Sequence, residues 1–255
     1  MEFMVSSSIS HKSVGIIIQA RMTSTRLPGK VLLEVNNKSL LQYQIERLQL
    51  VRSPKTIVVA TTTNKEDDEI STLCEHLGVQ IFRGDEHNVL ERFYFAARLI
   101  GATTLVRITA DCPLISPWLI NRALEEFFQN PSLDYLSNLT ERTFPRGLDF
   151  EIFSEGSLKL AYQSAQEPAE REHVTPYIYK HPEIFNTGQF TGDTDHSEHR
   201  WTVDTIDDFN LIKNLLTGLG EKHPHYTLQD CLDLISENPG WSDYNRHVEQ
   251  KTYGE

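Results

Sequence analysis

Apolar runs and helical periods alternate through the first half of the chain. Val14–Ile18 and Thr56–Thr61 are short apolar or β-branched runs bounded by turn residues, the pattern of buried strands. Val79–Phe82 and Thr104–Thr109 continue the series. Between them, Leu40, Leu41, Ile45, Leu48 and Val51 recur at helical spacing behind Ser39 as cap and predict a helix over Leu40–Leu50. Lys65–Leu77 has an acidic first turn (Glu66, Asp67, Asp68, Glu69) and exits at Gly78, as the helix dipole prefers. Val89–Ile100 lies between Asn88 and Gly101, and Pro117–Gln129 opens with Ser116 as cap and proline at the first position. Such alternation predicts an α/β fold with a mainly parallel, doubly wound sheet. Right-handed crossovers then collect the strand-end loops along one edge.

After about Pro131 the rhythm changes. Asp134–Ser137, Leu148–Phe153, Glu183–Phe190 and His199–Val203 are strand-like, interrupted by helical stretches at Ser157–Ser164 and Glu170–Lys180. This predicts a smaller mixed-sheet lobe, followed by helices at Asp207–Leu219 and Leu228–Glu237. With no internal repeat or long linker, residues 14–255 are expected to form one domain. It divides into a nucleotide-binding half (14–130), an acceptor and dimer lobe (131–203) and C-terminal helices (204–255). The polar, serine-rich leader at 1–13 is expected to be disordered, with Met4 as an alternative start.

Composition narrows the function classes. Hydrophobic content of 39% and charged content of 24% over 255 residues fit a globular protein with a sizeable core. A formal net charge of −12 disfavours a nucleic-acid surface yet allows a local basic pocket. Cys74, Cys112 and Cys231 are far apart and lack zinc spacing, so reduced thiols in a cytoplasmic protein are expected. The leader has no apolar core of a secretory signal, and no apolar stretch approaches the ~20 residues that span a bilayer, so no membrane partner is expected.

The basic pocket has a candidate. Directly after the first strand runs Gln19-Ala-Arg-Met-Thr-Ser-Thr-Arg-Leu-Pro-Gly-Lys30, bringing Arg21, Arg26 and Lys30 to a strand end, where open α/β sheets hold ligands. Arginine forks onto phosphate oxygens, lysine supplies a point charge, and Gly29 lets the backbone come close. A solvated basic loop is the bland alternative. The segment is neither a Walker loop nor a dinucleotide fingerprint, since GxxxxGK[ST] and GxGxxG are absent.

The loop resembles the nucleotide-binding signature ARxxSxRLPGKxL of the Kdo and acylneuraminate cytidylyltransferases, with Ala20-Arg21, Ser24, Arg26-Leu27-Pro28-Gly29-Lys30 and Leu32 in the matching places. Gln19 before Ala20 is similar to the spore-coat polysaccharide F branch. The resemblance implies a Rossmann-like nucleotide-diphospho-sugar transferase fold and CMP transfer from CTP to a sugar acid or phosphorylated acceptor, with pyrophosphate released. It further implies Mg²⁺ as cofactor and a homodimer. Arg21 and Lys30 would grip the triphosphate. Arg26 would do the same or brace the loop, and the backbone around Gln19, Ala20 and Arg21 would meet the pyrimidine.

Two carboxylates stand out. Asp111, in Arg107-Ile-Thr-Ala-Asp-Cys-Pro-Leu114, leaves the Thr104–Thr109 strand toward the same edge, as either a turn cap or a Mg²⁺ ligand. Asp204, in Arg200-Trp-Thr-Val-Asp204, reads equally as an N-cap, and Asp207 and Asp208 as first-turn acids. The resemblance favours metal binding for Asp111 and Asp204, through the RxTxDxPL and VDTxxD patterns. In the second lobe, Phe144-Pro-Arg-Gly-Leu-Asp-Phe-Glu151 and Glu170-Arg-Glu-His-Val-Thr-Pro176 resemble the spore-coat branch and nominate Arg146, Glu151, Arg171, Glu172 and His173 for the acceptor. Thr191-Gly-Asp-Thr-Asp195 spells a DxD and Asp193–His199 holds ligand types, but the first lies late for a glycosyltransferase and the second matches no metal spacing. A glycosyltransferase using a nucleotide sugar and a catalytically silent nucleotide-binding protein are the alternatives.

Overall fold

The computed structural model describes residues 13–250. The expected leader lies outside them apart from Ser13. In chain order the elements are β1 (Val14–Gln19), β2 (Glu34–Val35), β3 (Lys38–Ser39), α1 (Leu40–Leu48), β4 (Lys55–Thr62), α2 (Asp68–Leu77), β5 (Gln80–Gly84), α3 (Val89–Ile100), β6 (Thr104–Thr109) and α4 (Pro117–Gln129). The second half adds β7 (Tyr135–Ser137), β8 (Glu151–Ser154), α5 (Glu155–Ser164), α6 (Pro168–His173), α7 (Pro176–Lys180), β9 (Thr187–Gln189), α8 (Ile206–Leu219) and α9 (Leu228–Glu237).

Seven strands form one sheet in the order β5-β4-β1-β6-β8-β7-β9. β5, β4, β1 and β6 run parallel, whereas β8 pairs antiparallel with both β6 and β7. The expected α/β fold with a mainly parallel sheet and a mixed extension is therefore present. Strand β1 lies between β4 and β6 because it is apolar on both faces. Ile16 and Ile18 enter one cluster with Leu41, Ile120 and Leu211, and Ile17 enters the other with Phe93, Leu158 and Ile178. All three isoleucines are fully buried, which stabilises the strand by roughly 1.5–3 kcal/mol per side chain before entropy is counted.

Caps follow the sequence closely. Ser39, Asn88 and Ser116 each accept a backbone N–H at the start of α1, α3 and α4, and Gly78 and Gly101 end α2 and α3 in the left-handed region. One element was not anticipated. β2 and β3 form a hairpin over Asn36 and Asn37, with φ of 50° and 62°, the two-residue turn that asparagine tolerates.

The second lobe departs further from expectation. Leu148–Phe153 and Glu183–Phe190 contain only the short strands β8 and β9. Glu170–Lys180 is two helices, because Val174 adopts φ 74° and Pro176 restarts the helix. The expected strand His199–Val203 is absent. Its backbone joins two loops instead: Trp201 N donates to Arg146 O at 2.6 Å and Val203 N to Asp111 O at 2.8 Å. Among the described residues no helix is long and apolar enough to cross a membrane.

Candidate active site

The basic loop leaves the carboxyl end of β1 and is folded on itself. Met22 O accepts from Ser24 N and Gly29 N at 2.9 Å each. Gly29 has φ 71°, a conformation that a β-carbon disfavours. Asp67, expected as a first-turn helix acid, is wholly buried. It accepts from Met22 N at 2.7 Å and from Thr61 Oγ1, Thr62 N and Thr62 Oγ1 at 2.5–3.0 Å, which ties the loop to the end of β4. A carboxylate taking several such donors is a strong anchor in a dry site.

Beyond Gly29, Lys30 turns its side chain under the sheet edge. Its ammonium lies 2.9 Å from Asp111 Oδ2 and 2.9 Å from Asp204 Oδ1. Burial would lower the Lys30 pKa, but the two carboxylates outweigh it and hold the group above its ordinary value. Asp111 sits just past β6, where Thr109 Oγ1 donates to its Oδ1 at 2.6 Å. Burial pushes the Asp111 carboxyl up, yet Lys30 and Thr109 bring it below the usual range.

Asp204 is not the cap of α8. Thr205 fills that role in a reciprocal box with Asp208, which leaves both Asp204 oxygens for cations. Oδ1 meets Lys30 and also Arg26 Nη2 at 2.9 Å, and Oδ2 meets Arg200 Nη2 at 2.8 Å. Arg200 is itself fixed by Asp208 through Nε at 2.8 Å. Two acids far apart in the sequence thus already share a cation, a geometry that fits a divalent ion ligated by one or two carboxylates.

Arg26, Lys30, Asp111 and Asp204 line a cleft of about 740 Å³ that extends to Tyr179. Arg21 stands on its wall, and its Nη1 contacts Glu86 Oε1 at 3.2 Å. The Ala20 amide donates to Ala60 O at 3.3 Å, so that N–H serves the strand ladder rather than facing a base. Gln19 Oε1 accepts from Arg107 Nη2 at 3.1 Å.

Across the cleft the charges are arranged differently. Glu151 is almost fully buried and holds Arg107, Thr175 and Tyr135, the last at 2.7 Å. Arg142 forks onto Asp149 with contacts of 2.5 and 3.4 Å. Arg146 is half-buried on the cleft wall and, among the described residues, makes no side-chain hydrogen bond or ion pair. Burial, with Arg142 nearby, lowers its pKa. Its backbone is rigidly placed, because a β-carbon on Gly147 would lie 2.4 Å from the Trp201 carbonyl carbon. Glu172 and His173 also line the cleft, and burial lowers the His173 pKa. Arg171 is not on its wall.

Residues 15–230 match the family model described as Cytidylyltransferase. The chain belongs to the cytidylyltransferase family. The spore coat polysaccharide biosynthesis protein SpsF of Bacillus subtilis is 32% identical over 231 residues, covering 88% of this chain and 94% of that protein. The structure of a cytidylyltransferase from Leptospira borgpetersenii is 34% identical with a TM-score of 0.86, covering 94% and 98% of the two chains. A CMP:2-keto-3-deoxy-manno-octonic acid synthetase structure complexed with CTP is similar in fold, at TM-score 0.64 and 17% identity, over 80% of this chain and 98% of that one. The resemblance read from the first loop therefore holds, and the chain is a nucleotidyltransferase by family.

In this cytidylyltransferase, sequence reading located Arg21, Arg26, Lys30, Asp111 and Asp204, and the structure brings the last four together. It named Asp67 and Asp208 only as first-turn acids and did not single out Glu86 or Arg200, all of which hold those residues in place. Only the threonine run before Asp67 offered a local signal. Glu151 and Gln19 prove to be engaged by internal partners. Asp193 and Asp195 are absent from the cleft wall. His196, Glu198 and His199 do cluster, with ligand atoms within 4.8 Å of one another.

Proposed function

We propose that this cytidylyltransferase transfers CMP from CTP to a sugar acid or phosphorylated sugar or alcohol and releases pyrophosphate. One observation carries the reading: Lys30 stands between Asp111 and Asp204 at the mouth of the basic loop, 2.9 Å from each. Cations for a triphosphate and carboxylates for Mg²⁺ thereby share one hollow. The fold likeness to a synthetase complexed with CTP supports the nucleotide. The name of the Bacillus relative supports a role in surface-polysaccharide synthesis.

Arg21 and Lys30 bind the triphosphate and stabilise charge developing on the departing pyrophosphate. Arg26 adds to this from the same loop, and Asp67 keeps the loop in register. Asp111 and Asp204 would hold Mg²⁺, which neutralises phosphate charge and polarises the α-phosphorus for in-line attack. Arg146 binds the anionic group of the acceptor and so orients the attacking oxygen, with Glu172 and His173 beside it. Positioning in a shared cleft supplies much of the acceleration. No side chain becomes covalently modified.

The test is pyrophosphate release with Mg²⁺, each nucleoside triphosphate and a panel of acidic and phosphorylated sugars. CTP with one acceptor should give release, and CTP alone should not. Sugar transfer from a preformed nucleotide sugar without pyrophosphate would overturn the reading. A homodimer in the cytoplasm completes the proposal. Sedimentation of the full chain should give twice the 29.3 kDa mass.

A further inference from the structure

The ammonium that bridges the two acids is more than a bystander. Lys30 is only 11% exposed at the side chain and touches one oxygen of each carboxylate. A divalent ion ligated by the same acids needs those oxygens at about 2.0–2.1 Å for Mg²⁺. With Lys30 in place the ammonium and the ion would stand within a few ångströms of each other, and their repulsion disfavours joint occupancy. Asp204 Oδ1 carries Arg26 as well, so the protein has already supplied positive charge where the ion must go.

We infer that Lys30 is a resident counter-ion: it keeps Asp111 and Asp204 closed to a free divalent ion and releases them only when a triphosphate draws its ammonium away. The inference rests on the proposed reading of these acids as the metal pair. Lysine suits an exchange of this kind, having a compact charge on a flexible four-carbon stem, whereas a guanidinium fork is tied to its geometry. The fixed cation is Arg200. It contacts the other Asp204 oxygen and is clamped twice by Asp208, at 2.8 and 3.2 Å. Asp204 therefore keeps its position and one counter-charge while Lys30 moves. Asp204 faces Arg200 throughout, and the ion that enters with the triphosphate takes the place of Lys30 at Asp111.

The experiment titrates Mn²⁺ into the full-length, nucleotide-free protein and follows the free-ion EPR signal. Wild type should bind weakly. Lys30→Met, which keeps the stem and removes the charge, should bind at least tenfold more tightly. Adding Asp111→Asn to Lys30→Met should abolish that gain. In thermal unfolding, Mn²⁺ alone should raise the melting temperature of Lys30→Met and leave wild type unchanged, whereas CTP with Mn²⁺ should raise wild type beyond CTP alone. If Lys30→Met does not fold, Lys30→Gln carries the same comparison.

Equal Mn²⁺ affinity in wild type and the uncharged variant would overturn the inference. The two readings fail separately. A gain in Mn²⁺ binding without CTP-dependent pyrophosphate release removes the proposed reaction and keeps the counter-ion. CTP-dependent release with Mn²⁺ affinity indifferent to Lys30 does the reverse.

Discussion

The two walls of the cleft treat charge in opposite ways. On the side of the first loop, Arg21, Arg26 and Lys30 each meet a carboxylate of the protein itself, and Arg200 backs one of those carboxylates from behind. Across from them, Arg107 of β6 is paired with Glu151 and Arg142 with Asp149, and Arg146 meets none among the described residues. A closed network can be assembled before ligand arrives and opened by exchange of like for like. An unpaired half-buried guanidinium has no internal substitute and is stabilised by an anion from outside. On the proposed reading, the first wall trades partners and the second acquires one.

The strongest way to break this contrast is Asp111→Asn. The amide keeps the shape but cannot neutralise a divalent ion. Turnover should fall by about 10³-fold, equivalent to roughly 4 kcal/mol. Stability should fall far less, by about 1 kcal/mol, because Lys30 keeps its contact with Asp204. Its pairing with Lys30 at 2.9 Å is what gives the carboxylate that modest structural weight. Steady-state kinetics beside thermal unfolding checks both numbers.

Next in size is Asp208→Ala. Asp208 is wholly buried and accepts from Arg200, Asn245 and the amides of Asp204 and Thr205. Removing one partner of such a buried pair costs about 3–5 kcal/mol. Urea unfolding should register that loss even though Asp208 touches no substrate. A change below about 0.5 kcal/mol, ordinary for a surface site, would show that Arg200 is held by other means.

Arg146→Gln sharpens the second wall. The acceptor KM should rise about 10- to 100-fold, the equivalent of a lost charge-assisted hydrogen bond or two, while the KM for CTP stays near wild type. Arg146→Lys should recover part of the loss. An equal effect on both substrates would place the anion elsewhere.

How much of this was legible beforehand follows from distance along the chain. The strand β1, the loop through Lys30 and the caps of α1, α3 and α4 depend on neighbours in sequence, and periodicity with proline and glycine reveals them. Asp111 and Asp204 were legible through family resemblance, since each alone reads as a turn or helix cap. The partners were not. Arg21 meets Glu86 across 65 positions and Lys30 meets Asp204 across 174, so only tertiary folding pairs them. The second lobe was least legible. Trp201 and Val203 direct their amides to Arg146 and Asp111, not to a ladder, and Val174 turns with φ 74° where a β-branched residue gives no warning. In the first case loop cross-links replaced the regular pairing that a strand pattern implies, and in the second a left-handed residue splits the expected helix.

The smallest expected effect is also the one that separates the walls by sign. Behind Asp204, burial pushes the Asp208 carboxyl up, but Arg200 and Asn245 outweigh it and hold it below the usual range. On the opposite wall burial wins, and Asp149 lies above the usual range despite Arg142. A depressed carboxyl lends stability that is full above its unfolded pKa, near 3.9, and is lost as pH falls through the folded value. A raised carboxyl lends stability below its unfolded pKa and loses it as pH rises through the folded value. Asp208→Asn should therefore flatten the decline of stability on acidification, whereas Asp149→Asn should remove a decline that accompanies rising pH. A tenfold difference in proton affinity between the folded and unfolded chain corresponds to about 1.4 kcal/mol, measurable as urea midpoints between about pH 3 and 6. Parallel slopes for the two variants would mean that the walls do not differ in how they treat a buried acid, and the contrast drawn from Arg146 would have to stand alone.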